Sequence, residues 1–188
     1  MGANLITREE YKAYKNISSP NQDTEIDALL APVSEFVKRY CACTFVDYLN
    51  DAKTEYFNGG YEFLILKETP VVAVNSVEYS SDFGQTYSEI VEFVDWVLDG
   101  DLIIATAADG FKKQLRGYKV TYTAGYESIP EDLKLAVFDL LTYYRQNDSA
   151  VKSTKAPGTN SVQIEYISTT SLPAHIRRVL DLYKSDFT

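Results

Sequence analysis

Hydrophobic side chains recur at helical spacing in two long stretches of the chain. The first stretch consists of Ile26, Leu29, Leu30, Val33, Phe36, Val37 and Tyr40, spaced three and four residues apart. The second begins after Pro130, which suits a first helical turn, and consists of Leu133, Ala136, Val137, Leu140, Leu141 and Tyr144. We predict two helices that pack together through Leu30, Val33 and Val37 on one side and Val137, Leu140 and Leu141 on the other.

A shorter helix is predicted before these two. Thr7 and Glu10 have the spacing of a capping box, in which a hydroxyl and a carboxylate satisfy backbone N–H groups at a helix start. This helix is expected to end near Tyr14.

The pattern between residues 45 and 126 changes to short β-type runs. We predict strands at 54–57, 61–66, 71–79, 93–98, 102–106 and 118–123. Asn58-Gly59-Gly60 and Asp99-Gly100-Asp101 contain residues that tolerate positive φ, so each is expected to close a hairpin.

These elements predict an α+β fold with a body over residues 1–146. The body is a small helical bundle, made from the N-terminal helices and a helix near 130–146, with an antiparallel β region inserted at about 45–126. Residues 147–188 are predicted to form a linker and an extended C-terminal docking arm that ends in a short helix.

The C-terminal arm contains two short apolar patterns after a polar linker at 147–159. Val162, Ile164 and Tyr166 alternate as in a strand, and the helix opened by Pro173 carries Ile176, Val179, Leu180 and Tyr183. Because such small elements cannot form a core alone, they are expected to dock on the body or on a partner. We favour a partner, and expect a chain cut after Asn147 to remain folded.

Composition narrows the possible functions. A net charge of −9 argues against a broad nucleic-acid-binding surface, which needs clustered Lys and Arg. The two cysteines, Cys41 and Cys43, have no second thiol pair or neighbouring histidines, so they predict neither a disulfide framework nor a zinc site. No segment approaches the roughly 20 apolar residues of a membrane span, so no membrane partner is expected.

Candidate catalytic chemistry is weak. His175, the single histidine, has no carboxylate or nucleophile close in sequence, and Glu89, Glu92 and Asp95 lack the spacing of a catalytic pair or a metal site. We predict no catalytic residue, no metal and no cofactor. The fifteen tyrosines exceed what one core usually absorbs, which favours protein contacts.

Several stretches, in their order, resemble the head-to-tail connector (adaptor) family of tailed bacteriophages. They are Leu5–Tyr14, Val37–Cys41, the proline-led strand Thr69–Val77, and the strand-to-helix passage Val120–Tyr126 followed by Ile129–Lys134; Gln163–Tyr166 with Leu172-Pro173 is a weaker match. The region from about Tyr79 to Lys113 is longer and more acidic than the family pattern. The resemblance therefore does not indicate which neighbouring protein this region contacts.

The resemblance implies a structural virion protein at the neck, made in the host cytoplasm. Its implied partners are the portal protein, a tail or neck protein below, and identical subunits in a homo-oligomeric ring, typically twelve. Genomic DNA would pass through the lumen without sequence-specific binding, and an acidic lumen would repel phosphate. The partner-binding residues predicted for the portal or the neighbouring subunit are Val162, Ile164, Tyr166, Leu172, Pro173, Ile176, Arg177, Arg178, Leu180 and Tyr183.

Other functions remain open from the residues alone. Another phage neck or tail-completion protein would share this small α+β body. A surface carbohydrate-binding module would use exposed aromatic side chains such as Trp96. A hydrolase would need two of the scattered carboxylates in one cleft.

Overall fold

The computed structural model describes residues 2–146, 151–155, 162–166 and 172–184. The helices are α1 (Arg8–Lys15), α2 (Asp23–Cys41), α3 (Glu131–Gln146) and α4 (Ala174–Leu182). The strands are β1 (Lys53–Phe57), β2 (Phe63–Ile65), β3 (Val71–Tyr79), β4 (Ser88–Glu89), β5 (Trp96–Asp99), β6 (Leu102–Ala105), β7 (Tyr118–Ala124), β8 (Val151–Lys155) and β9 (Val162–Tyr166). The predicted α+β class is confirmed.

The chain divides into two compact units. One is a β unit formed mainly by Ala42–Ile129, and the other is a helical unit formed by Asn4–Cys41 and Pro130–Lys184. The β region is therefore inserted into the helical part of the chain, as the hydrophobic pattern predicts.

The helical unit begins with the predicted capping box. The Thr7 hydroxyl accepts from the Glu10 backbone N–H at 3.2 Å, and the Glu10 carboxylate accepts from the Thr7 N–H at 2.8 Å. Burial raises the pKa of Glu10, but its hydrogen bonds with Thr7 and Lys134 outweigh that effect and leave the pKa below its usual range. Helix α1 ends at Asn16, whose φ of 53° is in the left-handed region.

Helices α2 and α3 form the core of this unit, and α2 continues through Pro32. All six side chains predicted to join the two helices are buried: Leu30, Val33, Val37, Val137, Leu140 and Leu141. Arg145 near the end of α3 strengthens the contact, because its guanidinium binds the Glu25 carboxylate at 3.1 Å and donates to the Gln22 side chain at 2.8 Å. The predicted helical core is confirmed.

The β unit contains two antiparallel sheets. The larger has the strand order β1-β7-β3-β4, and the smaller has the order β2-β6-β5. Their shared core consists of Leu64, Leu66, Val77, Trp96, Ile103, Phe111, Tyr118, Val120, Tyr122 and Ala124. Alternate residues of β7 are buried, because successive strand residues point to opposite faces of the sheet.

One predicted hairpin is confirmed and the other is wrong. Strands β5 and β6 pair across Gly100, as predicted. Strands β1 and β2 do not pair, because β1 lies beside β7 and β2 beside β6. The Asn58-Gly59-Gly60 segment is instead a corner between the sheets, fixed by Gly59 donating to the Gln114 carbonyl at 2.9 Å and Gly60 to the Phe111 carbonyl at 2.8 Å.

A mostly buried ionic cluster lies in the β unit. Lys53 Nζ is 2.8 Å from Glu55 and 3.0 Å from Glu68, and both carboxylate side chains are only 8% exposed. Glu68 also accepts hydrogen bonds from the backbone and hydroxyl of Thr44. Burial would lower the pKa of Lys53, but its hydrogen bonds to the two carboxylates and their negative charges outweigh this and raise that pKa.

Residues 151–155, within the predicted linker, form strand β8. This strand pairs with β9 as an antiparallel hairpin, with Val151 opposite Tyr166 and Lys155 opposite Val162. A strand ladder is made by backbone N–H and C=O groups, so a mainly polar segment can form it, and the composition of 151–155 does not indicate a strand.

Cys41 and Cys43 are free thiols with buried side chains. Within the described residues, no cluster of three or more acidic, histidine or cysteine side chains is suited to hold a metal ion. None of the described helices is long and apolar enough to cross a membrane.

Candidate assembly surface

The C-terminal helix α4 packs against α2 and α3 of its own chain. Ile176 and Leu180 are 1% and 0% exposed. The apolar face predicted to enter a partner's groove is therefore buried against helices of its own chain in this conformation. Hydrogen bonds fix this position, from the Tyr40 hydroxyl to Asp181 at 2.7 Å and from the Tyr183 hydroxyl to Asp132 at 2.6 Å. In this conformation the groove between α2 and α3 gives these two apolar residues the burial that a partner was expected to supply, and a direct partner contact by them stays a prediction.

The other predicted partner-binding residues lie in different environments. Arg177 and Arg178 are exposed on α4, while Leu172 and Pro173 are half-buried just before it. Val162, Ile164 and Tyr166 belong to β9, which already pairs with β8 along one edge; their side chains lie outside the described part of the chain. A partner role for these residues stays a prediction.

The structure shows how exposed Trp96 and His175 are, which are the candidates for a carbohydrate-binding surface and for catalysis. Trp96 is 4% exposed and belongs to the β-unit core, so it is not the exposed aromatic that a carbohydrate-binding surface would need. His175 is 69% exposed, and its Nε2 lies 3.8 Å from the Asp139 carboxylate. Such an exposed pair is a weak surface contact.

An ordered loop in the β unit displays acidic and apolar side chains together. We call residues 89–95 the acidic loop, which comprises the last residue of β4 and the turn that follows it. Its exposed side chains are Glu89, Val91, Glu92, Phe93, Val94 and Asp95. The Asp95 carboxylate accepts from the Val91 N–H at 2.8 Å, and the Phe93 N–H donates to the Trp96 carbonyl at 2.7 Å. Phe93 has a φ of 62° and is 78% exposed, so this turn holds a bulky aromatic residue outward in a costly conformation.

A second ordered loop carries the opposite charge. We call residues 112–116 the basic loop; it contains Lys112, Lys113 and Arg116, and the 63% exposed Leu115. The Arg116 guanidinium lies 4.7 Å from the ring centroid of Tyr56, which is itself 50% exposed. The Arg116 N–H donates to the Asn58 side chain at 2.8 Å, which fixes the loop to the corner between the sheets.

The two loops are connected by one row of side chains across the outer face of the larger sheet. The strand register places Tyr56 beside Lys119, Lys119 beside Glu78, and Glu78 beside Glu89. Lys119 binds Glu78 at 2.9 Å, and this hydrogen bond raises the pKa of Lys119. The row therefore runs from an aromatic and cationic edge at β1 to an acidic edge at β4.

The spacing of Glu89, Glu92 and Asp95 in the sequence indicates no catalytic pair or metal site, and no sequence motif marks the basic loop. Lys112, Lys113, Arg116 and Lys119 occupy four of the eight positions from 112 to 119, so charge patterning could have identified it. The positions of the two loops beside the larger sheet depend on strand pairing, which residue spacing does not reveal.

Comparison with known proteins now identifies the family. The model of the head completion protein family matches residues 4–185. The chain belongs to the head completion protein family. This confirms the sequence-based interpretation that the chain is a structural protein of the head-to-tail junction in a phage-like particle. No curated protein matches the chain.

Solved structures share its fold. One from "Neck of empty GTA particle computed with C6 symmetry" has a TM-score of 0.63 and 15% identity, covering 96% of this chain and 90% of that chain. Another, from "Virion of native gene transfer agent (GTA) particle", has a TM-score of 0.62 and 14% identity at the same coverage. A third, from "Neck of native GTA particle computed with C12 symmetry", has a TM-score of 0.60 and 15% identity, covering 98% and 95%.

Proposed function

We propose that this head completion protein is a non-enzymatic adaptor that forms a ring of identical subunits between the portal and the tail or neck proteins. The observation that carries the proposal is the family match over residues 4–185, nearly the whole chain. Two of the matched folds come from particle necks computed with C6 and C12 symmetry, which supports a ring of twelve subunits.

DNA is proposed to pass through this ring without being held. The net charge of −9 supports this role, because a channel that repels phosphate does not bind the duplex tightly. The adaptor supplies position and a passage, and the proposal assigns it no reaction and no cofactor.

The C-terminal segment is proposed to contact the portal or the neighbouring subunit through its exposed residues. Arg177 and Arg178 face away from the core on α4 and suit acidic groups on a partner. Among the residues that the structure describes, the β8–β9 hairpin pairs with no third strand, and its outer edge suits strand addition. Ile176 and Leu180 then have a supporting role, because they hold α4 on the body and so position both arginines.

Particles that lack this protein provide the test. Full-length protein added to DNA-filled, tailless heads is expected to bind beneath the portal and to restore tail attachment, with a ring visible by cryo-electron microscopy. Binding at another position, or restoration of tails without the protein, would contradict the adaptor role.

The C-terminal contact is tested with the Arg177→Ala/Arg178→Ala double variant. This variant keeps the buried face of α4, so it is expected to fold normally yet bind heads more weakly. Lys67→Ala, an exposed cation of the β unit, serves as the control and is expected to bind like the wild type. Equal binding by the double variant would remove the arginines from the contact.

A further inference from the structure

The acidic loop and the basic loop each carry charges that the described chain does not neutralise. Within the described residues, no cation pairs with Glu89 or Glu92, and no carboxylate pairs with Lys113 or Arg116. Glu89 also lies directly opposite Glu78 in the strand register, and like charges in that position are destabilising. Lys119 binds Glu78 but leaves Glu89 without a counter-ion.

Both loops also expose apolar surface beside these charges. Val91, Phe93 and Val94 are 59%, 78% and 67% exposed in the acidic loop, and Leu115 is 63% exposed in the basic loop. An apolar patch rimmed by charge is typical of a protein contact. Hydrogen bonds hold both loops in defined conformations, so little ordering entropy would be lost when they bind.

The two loops contain different residues and lie beside different strands, as a ring contact requires. The basic loop leads into the central strand β7, and Arg116 stacks on Tyr56 of β1 while its carbonyl accepts from the Tyr87 hydroxyl at 2.9 Å. The acidic loop begins at Glu89 in β4, the strand at the other edge of the sheet from β1. A closed ring needs two different, complementary patches on each subunit.

We propose that the acidic loop of one subunit docks on the basic loop of the next subunit, a contact that rests on the proposed ring. Phe93 and Val94 then cover Leu115 and the exposed ring of Tyr56, while Glu89 and Glu92 meet Lys113 and Arg116. A second copy fits both loops at once. DNA fits only the basic loop, because its phosphates would repel Glu89 and Glu92.

Charge reversal in the full-length protein tests this contact. Glu89→Lys/Glu92→Lys and Lys113→Glu/Arg116→Glu each place like charges face to face, so each is expected to weaken subunit association at least about a hundredfold. The quadruple variant restores opposite charges with the wild-type net charge, and it is expected to recover most of the loss. Association is measured by native mass spectrometry and by tail attachment to heads that lack the protein.

Controls separate this contact from other effects. Asp51→Lys/Glu127→Lys changes the net charge as much as the acidic-loop variant does, at exposed positions outside both loops, and is expected to assemble normally. Circular dichroism checks that every variant is folded.

The outcomes distinguish this contact from the adaptor role itself. If wild-type protein joins heads and the loop variants join equally well, the contact is wrong and the adaptor role stands. A folded quadruple variant that fails to recover, or a basic-loop variant that keeps its ring but loses DNA retention, also overturns the contact. Failure of the wild type to join heads would overturn both proposals.

Discussion

Replacing Lys53 with methionine removes the cation that lies between Glu55 and Glu68 in the β unit. The substitution keeps most of the side-chain volume, so it tests the charge with little change in packing. Lys53 Nζ lies 2.8 and 3.0 Å from the two carboxylates, whose side chains are 8% exposed, and Lys53 itself is 19% exposed. Without it, two carboxylates remain close together and shielded from water.

Breaking a buried ion pair by removing one partner costs about 3–5 kcal/mol. Glu68 keeps its hydrogen bonds from Thr44, and Glu55 keeps one from the Lys67 backbone at 3.3 Å, which reduces the cost. We therefore expect a loss of about 3 kcal/mol at pH 7. Lys119→Met is the control, because its pair with Glu78 lies on the more exposed outer face and should contribute about 0–1 kcal/mol.

Urea unfolding followed by tryptophan fluorescence measures this loss. Trp96 is the single tryptophan and lies in the β-unit core, so its emission reports this unit. A loss below about 1 kcal/mol at pH 7, or no difference from Lys119→Met, would refute the buried-charge argument.

Four further predictions concern stability. Ile176→Ala should lower the free energy of unfolding by about 2–5 kcal/mol, measured by urea unfolding followed by circular dichroism. Leu182 is 77% exposed, so Leu182→Ala should change that free energy by no more than about 0.5 kcal/mol. Equal effects would show that α4 does not pack on the body. Gly125→Ala should lower the free energy of unfolding by more than about 1 kcal/mol, because the φ of Gly125 is 127° and an added Cβ would lie 2.5 Å from a backbone oxygen. An unchanged midpoint of urea unfolding, followed by tryptophan fluorescence, would contradict this conformation. Thr7→Ala should cost about 1 kcal/mol in thermal melts through loss of the cap, which a Thr7→Ser variant should largely keep. The pKa of Lys53 is raised in the folded protein, so its contribution to the free energy of unfolding is fully present below the unfolded pKa of about 10.4. This contribution should be lost as the pH rises through the folded pKa, and Lys53→Met should show no such loss of stability in an alkaline titration.

The sequence by itself determined the elements whose physical causes are local. The capping box at Thr7, the helical stripes that join Leu30 to Leu140, and the turn at Gly100 were all predicted, because spacing and turn chemistry act within a few residues. The order of its segments was also enough to predict the family, which the match over residues 4–185 confirms.

Only the tertiary structure decided which elements pair and which faces stay exposed. Strand β1 pairs with β7 and not with β2, the next strand in sequence. Pairing depends on which strand faces bury side chains in the core between the two sheets, and the residues of the turn between β1 and β2 do not determine this. The spacing of apolar residues in α4 is the same whether the helix packs on a partner or on its own chain. In the structure, Ile176 and Leu180 are buried within their own chain. Trp96 is buried and Phe93 exposed, although they stand three residues apart, because burial depends on what the rest of the chain places against each side chain.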